Sequence, residues 1–226
     1  MTADTDLQSK RMTYDAILMA SGFSRRFGAR DKLLQDFRGK PLALHTLLLV
    51  CGMPEFANVF FVAASPEVAK LAEGTRARVI RNNAPERGMC ESIRLGAEAS
   101  SAEFYCFFQC DQPLLDASAV RKLLAAAKPG AIAEPVAGGR RRSPSLFSKA
   151  FREELLSLRD GEGGSIIKER HGDAVVSVVF DDVAIFADID TPEGLLQLET
   201  KNERIIARED VLRREINAIM AEIEGD

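Results

Sequence analysis

Apolar runs separated by helical stretches recur along the chain, and this alternation constrains the fold more than any other feature. Tyr14–Ala20, Asn58–Ala64, Arg78–Arg81 and Phe104–Gln109 read as strands, and the long ones are almost continuously apolar. Strands of that kind are buried on both faces, which predicts a mostly parallel sheet between helical layers. Helices fall between them at Pro41–Cys51, after Ser65-Pro66-Glu67, from about Met89 to Ser100, and at Asp116–Ala127. Strands at Ala131–Glu134, Pro144–Phe147, Ala174–Val179 and Val183–Ala187, with helices at Lys149–Leu158 and Ser165–His171, complete the pattern. The expected fold class is α/β: a three-layer α/β/α, Rossmann-like, mixed but mostly parallel sheet.

A chain of 226 residues is the size of one compact domain with a core of its own. The expected division is a flexible tail over 1–13, one domain over 14–200 and a helical appendage over 201–226. Leu212, Ile216, Ile219 and Ile223 form an apolar stripe on that appendage, which either packs back on the domain or supplies a dimer surface.

Net charge of −4 gives no electrostatic footprint for nucleic acid. The opening MTADTDLQSKRM lacks a signal-peptide apolar region, and no run is long enough to span a membrane, so a cytoplasmic protein is expected. Cys51, Cys90, Cys106 and Cys110 lack zinc-site spacing and are expected to be reduced, buried thiols. His45 and His171 fit no nucleophilic constellation and are expected to be structural.

The first strand runs into LMASGFSRRFGARDK, Leu18 to Lys32. A glycine-containing loop after a strand puts backbone N–H groups at the carboxyl edge of the sheet, where open α/β folds bind ligands, and a phosphate fits there. Neither G-x-G-x-x-G nor G-x-x-x-x-G-K-[ST] occurs, which disfavours a Rossmann dehydrogenase and a P-loop NTPase.

Ala20, Ser21, Gly22, Ser24, Arg26, Gly28 and Lys32 together form A-S-G-x-S-x-R-x-G followed by lysine, which resembles the opening motif of the molybdopterin nucleotidyltransferases. This family includes the molybdenum cofactor cytidylyltransferases and their guanylyltransferase relatives. The resemblance extends through Asn82, Gly88, Ser92 and Gly96 (N-x5-G-x3-S-x3-G), Asp111 in QCDQP, and DIDTPEG at 188–194, covering about residues 14 to 196. It implies transfer of a nucleotidyl group, with CMP from CTP as the expected donor, to the terminal phosphate of a molybdopterin-type acceptor, releasing pyrophosphate. A molybdoenzyme would be the eventual recipient.

On that resemblance, Ala20, Ser21, Gly22, Phe23, Ser24, Asn82, Gly88 and Ser92 bind the nucleotide, and Arg26 and Lys32 supply positive charge. Asp111 and Asp190 hold Mg²⁺, with Asp190 preferred over Asp188 because strand alternation is expected to send only one of the two to the cleft and the family's ligand position matches the second. Magnesium takes few protein carboxylates and keeps much of its water, so two suffice. Arg26, Lys32 and Asp111 are the expected catalytic residues. Ser21 carries a Cβ, like the alanine of the cytidylyl branch, which points to CTP over GTP.

The acceptor side departs from the family. Ser143 in GGRRRSPSLF stands where a histidine is usual, and the G-D-x-G-A-R turn is replaced by Gly161-Glu162-Gly163-Gly164-Ser165-Ile166. Arg140, Arg142 and Ser143 are the expected acceptor contacts, because arginine forks grip phosphate in pairs of hydrogen bonds. Competing expectations are cytidylyl transfer to a sugar or polyol phosphate, and a non-catalytic molybdenum-cofactor carrier.

Overall fold

The computed structural model describes residues 12–22 and 31–198. The expectations for Phe23, Ser24, Arg26 and Gly28, and for the 201–226 appendage, lie outside the described residues, as does the tail up to residue 11.

Strands β1 (Tyr14–Ala20), β4 (Phe56–Ala63), β5 (Arg78–Arg81), β6 (Phe104–Gln109), β7 (Ile132–Ala137), β9 (Ser145–Ser148) and β10 (Val175–Phe180) line up in the order β10-β7-β9-β6-β1-β4-β5. The two-residue strand β8 (Arg140–Arg141) hangs from β7. Neighbours are parallel except at β8 and β9, which run against theirs. A separate two-stranded hairpin joins β2 (Asp36–Phe37) to β3 (Lys40–Pro41).

Side chains of each strand alternate between two helical layers, as the near-continuous apolar runs require. Ala16, Leu18 and Ala20 of β1 pack with α1 (Leu42–Cys51), α2 (Pro66–Ala69) and α4 (Ala117–Leu124). Ile17 points the other way, to Cys90, Ile93 and Ala97 of α3 (Met89–Ala99), Leu155 of α5 (Arg152–Leu156) and Ile167 of α6 (Gly164–Arg170). The expected three-layer arrangement is therefore present.

Four local expectations change. Val183–Ala187 is not a strand: Ala184–Phe186 forms a 3-10 turn that drives Phe186 into the core at 1% exposure. The helix expected at Lys149–Leu158 begins as a 3-10 turn, Lys149–Phe151, in which the Ser148 side chain accepts from Ala150 N, and only then becomes α5. β7 extends to Ala137 because β8 folds back on it, and the β2–β3 hairpin was not expected. Cys90, Cys106 and Cys110 are buried and free as expected, while Cys51 is half-buried. Among the described residues no helix is long and apolar enough to cross a membrane.

Gly96, read above as part of a binding motif, has a packing explanation. A Cβ there would collide with the side chain of Ile17, so glycine lets α3 lie close on β1. Replacing a helix-interior glycine by alanine ordinarily stabilises by about 1 kcal/mol, whereas overpacking a core costs about 1–3 kcal/mol. Gly96→Ala is therefore expected to lose on the order of 1 kcal/mol net, or about 2–4 °C in a thermal melt. A melt at or above the wild-type midpoint would contradict the packing account.

Candidate functional site

Parallel register brings the carboxyl ends of four strands to one edge. Ala20 stands opposite Ala63, Ala63 opposite Arg81, and Met19 opposite Gln109. Residues that follow this row hang over the same rim: Ser21 and Gly22 after β1, Asn82 after β5, and Cys110 and Asp111 after β6. A cleft of about 380 Å³ opens there, lined in part by Ser21, Gly22, Lys32, Gly88, Ser92, Asp111, Asp188 and Asp190.

Lys32 opens the 3-10 turn Lys32–Leu34, capped by the Asp31 side chain, which accepts from Leu33 N. That turn aims its ammonium at the rim. Nζ donates to Asp111 Oδ2 at 2.6 Å, Asp190 Oδ1 at 3.1 Å and the Ile189 carbonyl at 3.2 Å. Burial alone would lower the lysine's pKa, but Asp111 and Asp190 beside it outweigh burial and raise it, so the ammonium is charged at neutral pH.

For Asp111 the balance runs the other way. Burial pushes its carboxyl above the ordinary value, Lys32 pulls it down, and the charge of Asp188 adds to the rise. The two partners' shifts favour opposite forms of the same pair. The ionised pair is the form the geometry supports, because an ammonium at 2.6 Å with further acceptors around it offsets the desolvation. Asp111 Oδ1 is buried with no hydrogen-bond partner among the described residues, a carboxylate lone pair left over beside the acid-lined rim.

The preference for Asp190 over Asp188 gains nothing from strand alternation, because residues two apart share a face. Residues 187–190 are irregular, and both aspartates line the cleft. Between them Ile189 is buried against Phe37 and Leu42, and its N–H donates to Asp111 O at 3.0 Å. One buried anchor thus presents an acid on each side. Among the described residues no three His, Cys, Asp or Glu are grouped as a metal cage. Magnesium needs only one or two carboxylates, and the unspent Asp111 Oδ1 together with an aspartate at 188 or 190 fits that donor set.

Of the expected nucleotide contacts, Ser21, Gly22, Gly88 and Ser92 line this cleft. Ala20 is buried at the end of β1 and does not line it. Asn82 is buried too: its Nδ2 donates to Ser92 Oγ at 3.3 Å and its Oδ1 accepts from Ala84 N at 3.0 Å, so it braces the turn that carries Gly88 and Ser92. Gly88 has φ +92°, a conformation glycine adopts without strain. Ser21 Oγ donates to the Val62 carbonyl at 3.0 Å, which pins the side chain against β4.

A second cleft of about 360 Å³ adjoins the first and shares Met19, Met89, Gln109 and Asp188 with it. Because β9 runs against β6 and β7, its leading residues stand at their carboxyl edge, and the loop before it is carried into this cleft. Arg142 and Ser143 line it as expected, but Arg140 does not. In the β8 strand Arg140 is exposed, and its neighbour Arg141 turns to the cleft with Nε 2.9 Å from the buried Glu134. Gly163, Gly164, Ser165 and Lys168 form the opposite wall; Lys168 was missed because its partner, Glu134, is distant in sequence. Across the top, Gly161 N donates to Arg87 O at 2.9 Å and Arg87 Nε to Asp160 at 2.7 Å, joining the turn of the first cleft to that of the second.

Residues 16–175 match the family model described as MobA-like NTP transferase domain. The molybdenum cofactor guanylyltransferase of Ralstonia pickettii (strain 12J) is 29% identical over 195 residues, covering 80% of this chain and 94% of the relative. The nicotine blue oxidoreductase of Paenarthrobacter nicotinovorans is 27% identical over 207 residues, covering 86% and 98%. Among solved structures, a nucleotidyl transferase from Methanothermobacter thermautotroptrophicus superposes with a TM-score of 0.75 at 18% identity, covering 85% of this chain and 99% of that one, a likeness of fold.

Proposed function

The chain belongs to the MobA-like NTP transferase family, and from that premise we propose that it moves a nucleotidyl group from a nucleoside triphosphate to the terminal phosphate of a molybdopterin-type acceptor, with Mg²⁺ as cofactor. The observation that carries this reading is the Lys32–Asp111–Asp190 cluster in the first of two adjoining clefts, with Asp188 lining both. An oxygen of the acceptor phosphate attacks the α-phosphorus, the bond from that phosphorus to the β-phosphate bridging oxygen breaks, and pyrophosphate leaves with the electron pair. The phosphate is already ionised near neutral pH, so no general base is needed. Positioning and charge stabilisation remain as the protein's work.

Lys32 supplies a fixed positive charge to the triphosphate, and Gly22 lets the backbone approach it. Asp111, with Asp188 or Asp190, would hold Mg²⁺, which neutralises charge developing on the phosphate oxygens when bound. Asn82 holds Ser92 in place. Arg142 and Ser143 face the acceptor, and Arg141 takes the place expected of Arg140.

CTP is the donor in this reading, since the Ser21 Cβ, pinned through the hydroxyl to Val62, crowds a purine. GTP is the second reading, supported by the name of the Ralstonia pickettii relative. With all nucleotides at one common concentration with Mg²⁺, about a hundred times the true donor's Kd, that donor stabilises the protein by about 2.7 kcal/mol, a shift of roughly 5–10 °C, and the others by less. CTP is expected to give that shift and to release pyrophosphate when molybdopterin is added. Release with GTP and not CTP would replace the first reading by the second. Nucleotide binding without pyrophosphate release from any acceptor would point instead to a carrier.

A further inference from the structure

The second cleft carries more polar capacity than the transfer step uses. Lys168, on α6, is 9% exposed and lines it. Its ammonium donates to Glu134 Oε2 at 2.7 Å and to Ser145 Oγ at 3.2 Å. An ammonium has three donors, so one remains for whatever fills the cleft. Glu134 itself is fully buried on β7; its other oxygen lies 2.9 Å from Arg141 Nε, an ion pair too misaligned to be a hydrogen bond, so Oε1 has no hydrogen-bond partner among the described residues. A buried carboxylate is tolerated only when paired. Here the pairing holds a flexible lysine at the cleft wall and keeps it from swinging out to water.

Gln112, 3% exposed, lines the same cleft. Its Nε2 donates to Phe186 O at 3.3 Å, which leaves Oε1 as an acceptor with no partner among the described residues. Arg142 contributes a buried Nε in the same condition. Phe107 and Phe147, edge to face with centroids 5.8 Å apart, add apolar wall.

Two donors, one acceptor and two aromatic walls do not describe a bare phosphate site. A phosphate dianion has no N–H for Gln112 and no apolar face for the phenylalanines. They describe a flat ring with oxo or ring-nitrogen acceptors beside an N–H donor. We propose that Lys168, Arg142 and Gln112 select the acceptor by the amide-like edge of its heterocycle, as in a 2-amino-4-oxo pterin ring, with Glu134 as the residue that positions Lys168. This rests on the molybdopterin reading above and specifies which side chains enforce it.

The test titrates 6-hydroxymethylpterin, which has the ring and no phosphate, with the full-length protein and follows pterin fluorescence. Wild type is expected to bind it. The variants are Glu134→Gln, which loosens the lysine, and Lys168→Met combined with Glu134→Gln, which removes both buried charges at once if Lys168→Met alone fails to fold. Both are expected to weaken binding tenfold or more while the thermal shift given by CTP with Mg²⁺ stays at the wild-type value. A purely structural ion pair would lower the melting midpoint and leave pterin affinity alone, and that result overturns the proposal, as does a wild-type protein that binds no pterin. Pyrophosphate release by wild type with molybdopterin is measured separately. Release together with unchanged pterin affinity in the variants removes the Lys168 assignment and leaves the function standing. Absence of release alongside Lys168-dependent pterin binding removes the reaction and keeps the pocket.

Discussion

Asp111→Ala is expected to reduce pyrophosphate release by a factor on the order of 10³ or more while the protein still folds. The reason lies in how this carboxylate is held. Asp15, fully buried where Asp111 is only partly so, has both oxygens committed: Oδ1 accepts from Asn58 N and Nδ2, and Oδ2 accepts from Ser100 Oγ at 2.7 Å. Asp111 has one oxygen on Lys32 and one without a partner among the described residues, and burial raises its pKa. A carboxylate held this way contributes little to folding, so its loss spares the fold and removes a group for the phosphates and their cation. Far-ultraviolet circular dichroism and a thermal melt beside the pyrophosphate assay decide the matter. A folded variant with wild-type release would remove Asp111 from the reaction.

Lys32→Met is the second large effect, with turnover expected to fall by about 10²–10³. Its pH dependence is a sharper test. Burial and Asp188 both raise the Asp111 carboxyl, and Lys32 is what opposes them. Without the ammonium the carboxyl rises further, so residual activity, which needs the carboxylate, is lost at a higher pH on the acid side than in wild type. Stability moves in the matching direction. An acid whose folded pKa exceeds its unfolded one contributes stability that is complete below the unfolded pKa and lost as pH rises through the folded pKa. The variant's melting midpoint is therefore expected to gain on wild type as pH is lowered towards the usual carboxylate range. Parallel pH profiles for the two proteins would contradict the coupling.

The elements that were legible in the sequence are those fixed by local chemistry. β6 and β5 have the expected bounds, and the Asp116 side chain caps α4 by accepting from Ala119 N. What was not legible depends on contacts distant in sequence. Residues two apart share a face, so alternation could not choose between Asp188 and Asp190; the segment is held by Ile189 N bonding to Asp111 O, 78 residues away in the chain, and both acids line the cleft. Arg140 and Arg141 are indistinguishable as neighbours in a basic triplet. Only the β7–β8 register, with Arg141 opposite Val136, decides which one reaches Glu134. Gly96 fell within a motif for a reason the motif does not state, its contact with Ile17.

The reversed course of β9 has an evolutionary consequence. Most of the second cleft, from Arg141 to Lys168, is supplied by one uninterrupted stretch of chain, whereas the first is assembled from the ends of strands across the sheet. On the proposed assignment of the two clefts, a single recombination event within that stretch would exchange most of the acceptor wall, with Gln112 and Glu134 left behind on the scaffold that carries the donor site. Divergence among descendants of such a gene would then concentrate in one contiguous block, and the scaffold around Asp111 would persist through changes of substrate.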